Sequence, residues 1–288
     1  MAGVKPDRIG GAAGAALLGV WILLMPAVAR ALPWAVYYSD QAPLAALDPY
    51  ELLVLDSEHH PPLRPLLDRG KTVLGYLSLG EVENHRPWFA RVKAMGVLAG
   101  ENQTWSGSFS IDVRDRRWTA LVIEELLPRL LHQGFHGVFL DTLDNPAELE
   151  RQDPARHAGM TQAAARLVQA IRLHYPGIRI MLNRAYEILP EVAGLLDYEL
   201  GESIYTRWDF KQSRAGLQTE ADYADQVRSL LDARSRNPKL QILTLDYWDV
   251  ADQPGVRAIY RLQRANGFSP YVSVVSLDRI VPEPPPPP

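Results

Sequence analysis

The chain has 288 residues, 47% hydrophobic and 22% charged, with 30 Lys and Arg against 34 Asp and Glu. That is the composition of a folded globular protein, and a mild acidic excess without clustered cations excludes a nucleic-acid footprint. There is no cysteine, which excludes thiol catalysis, disulfide staples and Cys-based zinc sites.

The first 31 residues stand apart. Lys5 and Arg8 precede an almost uncharged run from Ile9 to Val28, and Ala27-Val28-Ala29 or Ala29-Arg30-Ala31 supplies the small-x-small pattern of a cleavage site. The segment reads as a secretory signal. An uncleaved anchor is the alternative, because the run is just long enough to cross a bilayer. Both imply export (periplasmic or extracellular), with membrane contact only if the segment stays attached. Its removal takes away Lys5, Arg8, Arg30 and Asp7 and leaves 27 basic and 33 acidic side chains. The remaining residues are enough to bury a core without disulfides.

From Trp34 onward short apolar runs alternate with helical patterns eight times. The strand candidates are 34–38 (WAVYY), 51–55 (ELLVL), 72–77 (TVLGYL), 137–140 (GVFL), 178–182 (IRIML), 197–200 (DYEL), 241–245 (QILTL) and 271–275 (YVSVV). Most are continuously apolar, as strands covered on both faces are in parallel sheets. Between them, Trp118, Leu121, Val122 and Leu126 recur at helical spacing up to Gly134. Leu167, Val168, Ile171 and Tyr175 form a second stripe closed by Pro176-Gly177. Thr219 with Asp222 reads as a capping box, and Pro254 and Gly267 bracket a last helix. Eight such units over about 250 residues predict an α/β fold, a single-domain (β/α)8 TIM barrel spanning 32–281. No Gly-x-Gly-x-x-Gly follows a strand, which argues against a dinucleotide fold. Residues 282–288 (PEPPPPP) predict an extended, solvated Pro-rich tail.

In such a barrel, chemistry lies at the C-terminal strand ends. Those positions carry Tyr38 and Asp40; Asp56 and Glu58; Ser78, Glu81 and Glu83; Asp141, Thr142 and Asp144; Asn183; Glu202; Asp246 and Asp249; and Ser276 with Asp278. Acids and amides dominate, and no histidine stands at a strand's C-terminal end, so neither metal nor cofactor is expected. His59-His60 reads as a solvated loop pair rather than a ligand set. Glycoside hydrolysis needs two carboxyl groups astride the scissile bond, one a proton donor and one kept ionised. Asp141 and Glu202, each ending an apolar strand, are the candidate pair across the barrel mouth. Asp144 reads equally as a cap or a site residue. Glu199, an odd number of residues from Glu202, points elsewhere. Tyr37, Tyr38, Tyr76, Tyr205, Trp208, Tyr247, Trp248 and Tyr271 cluster at or beyond strand ends, where aromatic faces suit pyranose rings and the ammonium of an aminosugar.

With those residues in place, the chain resembles glycoside hydrolase family 114. That family holds endo-α-1,4-polygalactosaminidases and the hydrolase domain of the Pel exopolysaccharide protein. The resemblance runs from Trp34 to about Asp278, carried by WAVYYSD at 34–40, GYLSLGEVE at 75–83, GFHGVFLDTLD at 134–144, MLNRAYEILP at 181–190, GESIY at 201–205, LTLDYWD at 243–249 and GFSPYVSVVSLD at 267–278. It implies cleavage of α-1,4-linked galactosamine or N-acetylgalactosamine polymers, with Asp141 and Glu202 catalytic and Tyr38, Tyr76, Asn183 and Asp246 lining the pocket. Asp144, Trp248 and Tyr271 complete the expected substrate-binding set. A deacetylase domain like that of the Pel protein does not follow, so the likeness is to stand-alone hydrolases. A non-catalytic carbohydrate-binding barrel is the competing expectation. The order of acid and nucleophile, and retention versus inversion, stay open at this point.

Overall fold

The computed structural model describes residues 31–286, with Met1 and Gly3; the signal or anchor segment falls outside that range. Eight strands form one parallel sheet in chain order. They are β1 (Trp34–Tyr37), β2 (Leu52–Asp56), β3 (Thr72–Ser78), β4 (Gly137–Asp141), β5 (Arg179–Asn183), β6 (Tyr198–Glu202), β7 (Gln241–Tyr247) and β8 (Ser269–Ser273). Every expected run is a strand, with ends displaced by one or two residues. β1 through β7 are almost wholly buried, as helices on the outer face and packed side chains inside require.

The helices begin and end where local chemistry dictates. Thr219 caps the helix Glu220–Arg236, its hydroxyl accepting from Asp222 N at 3.1 Å. Asp252 caps Gln253–Ala265 by accepting from Gly255 N, with Pro254 in the first turn. Leu127–Gln133 ends on Gly134 at φ 109°, a left-handed shape that only glycine takes freely. In Met160–His174, Leu167, Val168 and Ile171 are buried, as their helical spacing predicts.

Two excursions were not legible in the sequence. After β3 the chain builds a three-stranded antiparallel sheet from Glu81–Glu83, Leu98–Glu101 and Ser108–Ile111. After β6 it builds a hairpin, Thr206–Asp209 with Arg214–Leu217. Both rise from the C-terminal end of the barrel.

Seven strand pairs carry ladders among the described residues. The eighth boundary, β8 against β1, is a seam. There Leu32 N donates to Ser269 Oγ at 2.9 Å, Trp34 Nε1 donates to Ser269 O at 2.8 Å, and Tyr38 N donates to Leu277 O at 2.8 Å. The tail has no regular structure through Pro286 and is tied back at one point, where Arg264 donates to both oxygens of Glu283 at 2.6 and 2.7 Å. Among the described residues no helix is long and apolar enough to cross a membrane.

Candidate active site

A cavity of about 560 Å³ opens at the C-terminal strand ends. Its floor follows from strand parity, since alternate side chains face inward. Val36 and Tyr38 face it from β1 and the turn beyond, Tyr76 and Ser78 from β3, Phe139 and Asp141 from β4, Asn183 from β5, Glu202 from β6, and Leu245 and Tyr247 from β7. Three of these strands end with a residue in the left-handed region immediately after the inward polar group. Thr142 (φ 64°) follows Asp141, Arg184 (φ 56°) follows Asn183, and Ser203 (φ 56°) follows Glu202. Non-glycine residues held in that region cluster where a site over-determines the backbone.

Asn183 joins the two candidate carboxylates. Its Nδ2 donates to Asp141 Oδ1 at 2.9 Å and to Glu202 Oε2 at 2.6 Å, which bounds the separation of those two oxygens at 5.5 Å. The other oxygen of Glu202 accepts from the Tyr247 hydroxyl at 2.6 Å. Burial pushes the Asp141 carboxyl up, and the Asn183 amide acts against it. Burial also pushes Glu202 up, the charge of Asp141 pushes it further, and Tyr247 and Asn183 oppose both. Two acids this close do not ionise together. Burial and their mutual repulsion raise both carboxyls, so the pair holds one proton between them where isolated carboxylates would both be ionised.

The walls are fixed by their own bonds. Thr142 Oγ1 donates to Asp141 O at 2.7 Å and accepts from Gly80 N at 2.9 Å and Glu81 N at 3.1 Å. A Cβ at Gly80 would lie 2.0 Å from Thr142 O, so this crossing tolerates glycine alone. Arg86 donates to Asp56 Oδ2 at 2.8 Å and to Glu83 at 3.2 Å, beneath the Tyr76 ring at 5.4 Å. Asp144 is raised by burial and opposed by Arg184, whose Nε is 3.3 Å from Asp144 Oδ2. Asp144 stands at the head of the helix Asn145–Gln152 but makes no side-chain cap there, so its carboxylate belongs to the cavity wall.

Of the nine expected site residues, the cavity gathers Asp141, Glu202, Tyr38, Tyr76, Asp144 and Asn183. Three lie elsewhere. Asp246 falls between inward-facing Leu245 and Tyr247, so it points to the outer layer. It is buried there, accepting from Thr206 N at 2.8 Å, Tyr205 N at 3.1 Å and Gln263 Nε2 at 3.0 Å. Trp248 donates its indole N–H to Asp252 Oδ2 at 2.9 Å and packs beside Val256, Ile259 and Tyr260. Tyr271 packs at a tilt against Trp34 and edge-on to Tyr50 near the seam, its hydroxyl accepting from Val281 N. Arg86, Arg184 and the wall contributed by Asn102, Trp105 and Ser108 were not singled out from the sequence. Tyr247 appeared only as one of eight rim aromatics.

A model of glycoside-hydrolase family GH114 matches residues 23–284. The glycoside hydrolase domain of PelA from Pseudomonas aeruginosa is 29% identical and superimposes with a TM-score of 0.76, covering 87% of this chain and 98% of that one. Aspergillus fumigatus Ega3, solved in complex with galactosamine, superimposes with a TM-score of 0.65 over 86% of this chain and 93% of its own, at 16% identity, a likeness of fold alone. An uncharacterised protein of Deinococcus radiodurans is 28% identical over 276 residues, 89% of this chain and 84% of its own length.

Proposed function

The chain belongs to glycoside-hydrolase family GH114, and on that premise we propose an exported, endo-acting hydrolase of α-1,4-linked galactosamine-type polysaccharide that retains anomeric configuration. The observation carrying this is the bridge made by Asn183. It keeps one oxygen of Asp141 and one of Glu202 no more than 5.5 Å apart, short of the roughly 6.5–9.5 Å that admits a water between acid and base.

Asp141 is the nucleophile and Glu202 the acid and base. An Asp141 oxygen bonds the anomeric carbon while the glycosidic C–O bond breaks and Glu202 delivers its proton to the departing oxygen. A water then gives its proton to Glu202 and its oxygen to the anomeric carbon, and Asp141 is released. Asp is the intrinsically stronger acid of the two, which supports leaving the pair's proton on Glu202.

Six carboxyl groups and two guanidiniums face the cavity. That balance favours a sugar bearing a free amine, cationic at neutral pH, over its acetylated form. Complexation of Ega3 with galactosamine agrees with the same class. Export rests on the apolar run Ile9–Val28 and the small residues after it.

The deciding experiment incubates the protein with α-1,4-galactosamine polymers of graded acetylation and follows the first-formed anomer by proton NMR. The α-anomer appearing first, with oligomeric products by mass spectrometry, is the expected result. A β-anomer first would overturn retention, and binding without cleavage would favour the non-catalytic barrel.

A further inference from the structure

Two aromatic side chains remain on the surface where a soluble domain would normally hide them. Trp105 is 53% exposed and Phe210 46% exposed. They come from the two excursions, Trp105 from the loop between Leu98–Glu101 and Ser108–Ile111, and Phe210 from the hairpin after β6. Their rings meet edge to face with centroids 5.0 Å apart. β3 and β6 stand three places apart around the barrel, with β4 and β5 between them. The contact therefore spans the arc of the rim that carries Asp141 and Asn183. Trp105 lines the same cavity as the carboxylate pair.

Both arms are built and held. Asn102 Oδ1 accepts from Thr104 N at 2.8 Å and Trp105 N at 3.1 Å, while its Nδ2 donates to Glu81 Oε1 at 2.8 Å. Glu81 is buried and also accepts from Asn145 at 2.6 Å. At the other arm Asp209 Oδ1 accepts from Lys211 N and Gln212 N at 2.9 and 3.0 Å, turning the chain around Phe210. The base of that hairpin hangs on buried Asp246 through Thr206 N. Each arm is thus anchored to the barrel by a buried carboxylate, a costly device for a loop that only covers a surface.

We propose that Trp105 and Phe210 form a distal sugar-binding subsite that holds the polymer several units away from the bond being cleaved. This deepens the glycosidase assignment above and rests on it. A galacto-configured pyranose has its 4-hydroxyl axial, so one ring face presents contiguous C–H bonds that lie flat on an aromatic ring. The ammonium on C2 of a galactosamine unit gains further from the ring's electron-rich face. The pair is continuous with the catalytic cavity, and a chain leaving that cavity past Trp105 meets it.

The test uses α-1,4-galactosamine oligomers of increasing length. Calorimetric titration on the Asp141→Asn protein, with and without Trp105→Ala or Phe210→Ala, reads affinity at each length, and cleavage by the unaltered protein is measured in parallel. The parent protein should bind long chains more tightly than short ones, and each aromatic-to-alanine change should remove roughly tenfold of that gain. Trp105→Phe should keep most of it. An equal loss at every length, or none at any length, overturns the subsite. So does a shift in oligomeric state with polymer affinity intact, which would make the patch a self-association surface. Absence of cleavage by the unaltered protein would count against the glycosidase assignment alone, since the length dependence of binding is read independently.

Discussion

The Tyr247 hydroxyl donates to Glu202 Oε1 at 2.6 Å inside a site where the other oxygen of the same carboxylate is already held by Asn183. This bond favours the ionised form of Glu202, against burial and the charge of Asp141, which favour the protonated one. In Tyr247→Phe the largest part of that opposition is gone, Asn183 remaining, and the Glu202 carboxyl rises further. The high-pH limb of kcat/KM, where the acid loses its proton, should move to higher pH. Turnover should fall about tenfold because the group must also act as base. An unmoved limb would assign Tyr247 to packing alone.

Asp141→Asn and Glu202→Gln should each reduce turnover by roughly 10⁴-fold or more with folding intact, and the double variant should be scarcely worse than either. Alanine variants with added azide separate the roles. Azide replacing the nucleophile at Asp141→Ala gives a glycosyl azide of inverted configuration, whereas rescue at Glu202→Ala gives the retained one. The opposite pattern would exchange the two assignments.

Asp246→Ala tests a carboxylate that is turned away from the cavity. It strips acceptors from Thr206 N, Tyr205 N and Gln263 Nε2 in a buried setting, a loss of about 2–3 kcal/mol. Tm should drop by several degrees, and long-polymer affinity should weaken as the hairpin loosens. A loss of turnover as deep as that of Asp141→Asn, at unchanged Tm, would return Asp246 to the site.

Glu199 is fully buried with neither oxygen hydrogen-bonded, and burial holds its carboxyl far above the ordinary value. The unfolded carboxyl ionises near 4.5 while the folded one keeps its proton. Stability from this group is therefore complete below that pH and declines as pH rises toward the folded value. Glu199→Gln removes the dependence. Its Tm should exceed that of the parent by about 3 °C or more at pH 8, with a smaller gap at pH 4. A gap independent of pH in calorimetry would mean that Glu199 does not titrate as its burial requires.

All eight barrel strands were legible because burial on both faces leaves a continuous apolar run. The excursions were not, because three- and four-residue strands such as EVE and TRWD have no period to read. Asp141 and Glu202 were legible as acids ending apolar strands. Asp246 satisfied the same description and faces the other way. The odd–even test that set Glu199 aside, applied to β7, would have exchanged Asp246 for Tyr247. Arg184 gave no signal, since its place in the wall depends on a left-handed backbone turn that sequence does not announce.

The seam between β8 and β1 divides the barrel's resistance to local opening unevenly. Its three bonds join residues some 240 positions apart, where loop-closure entropy is greatest, and no ladder propagates them. Amide exchange across that boundary should follow sub-global openings while β4 and β5 exchange only on global unfolding. Tyr38 stands at the seam through its bond to Leu277 O and on the cavity wall through its ring. The cavity wall therefore borders the barrel's weakest boundary, and a substrate pressed against Tyr38 should slow amide exchange along the whole seam, down to Leu32 at its far end.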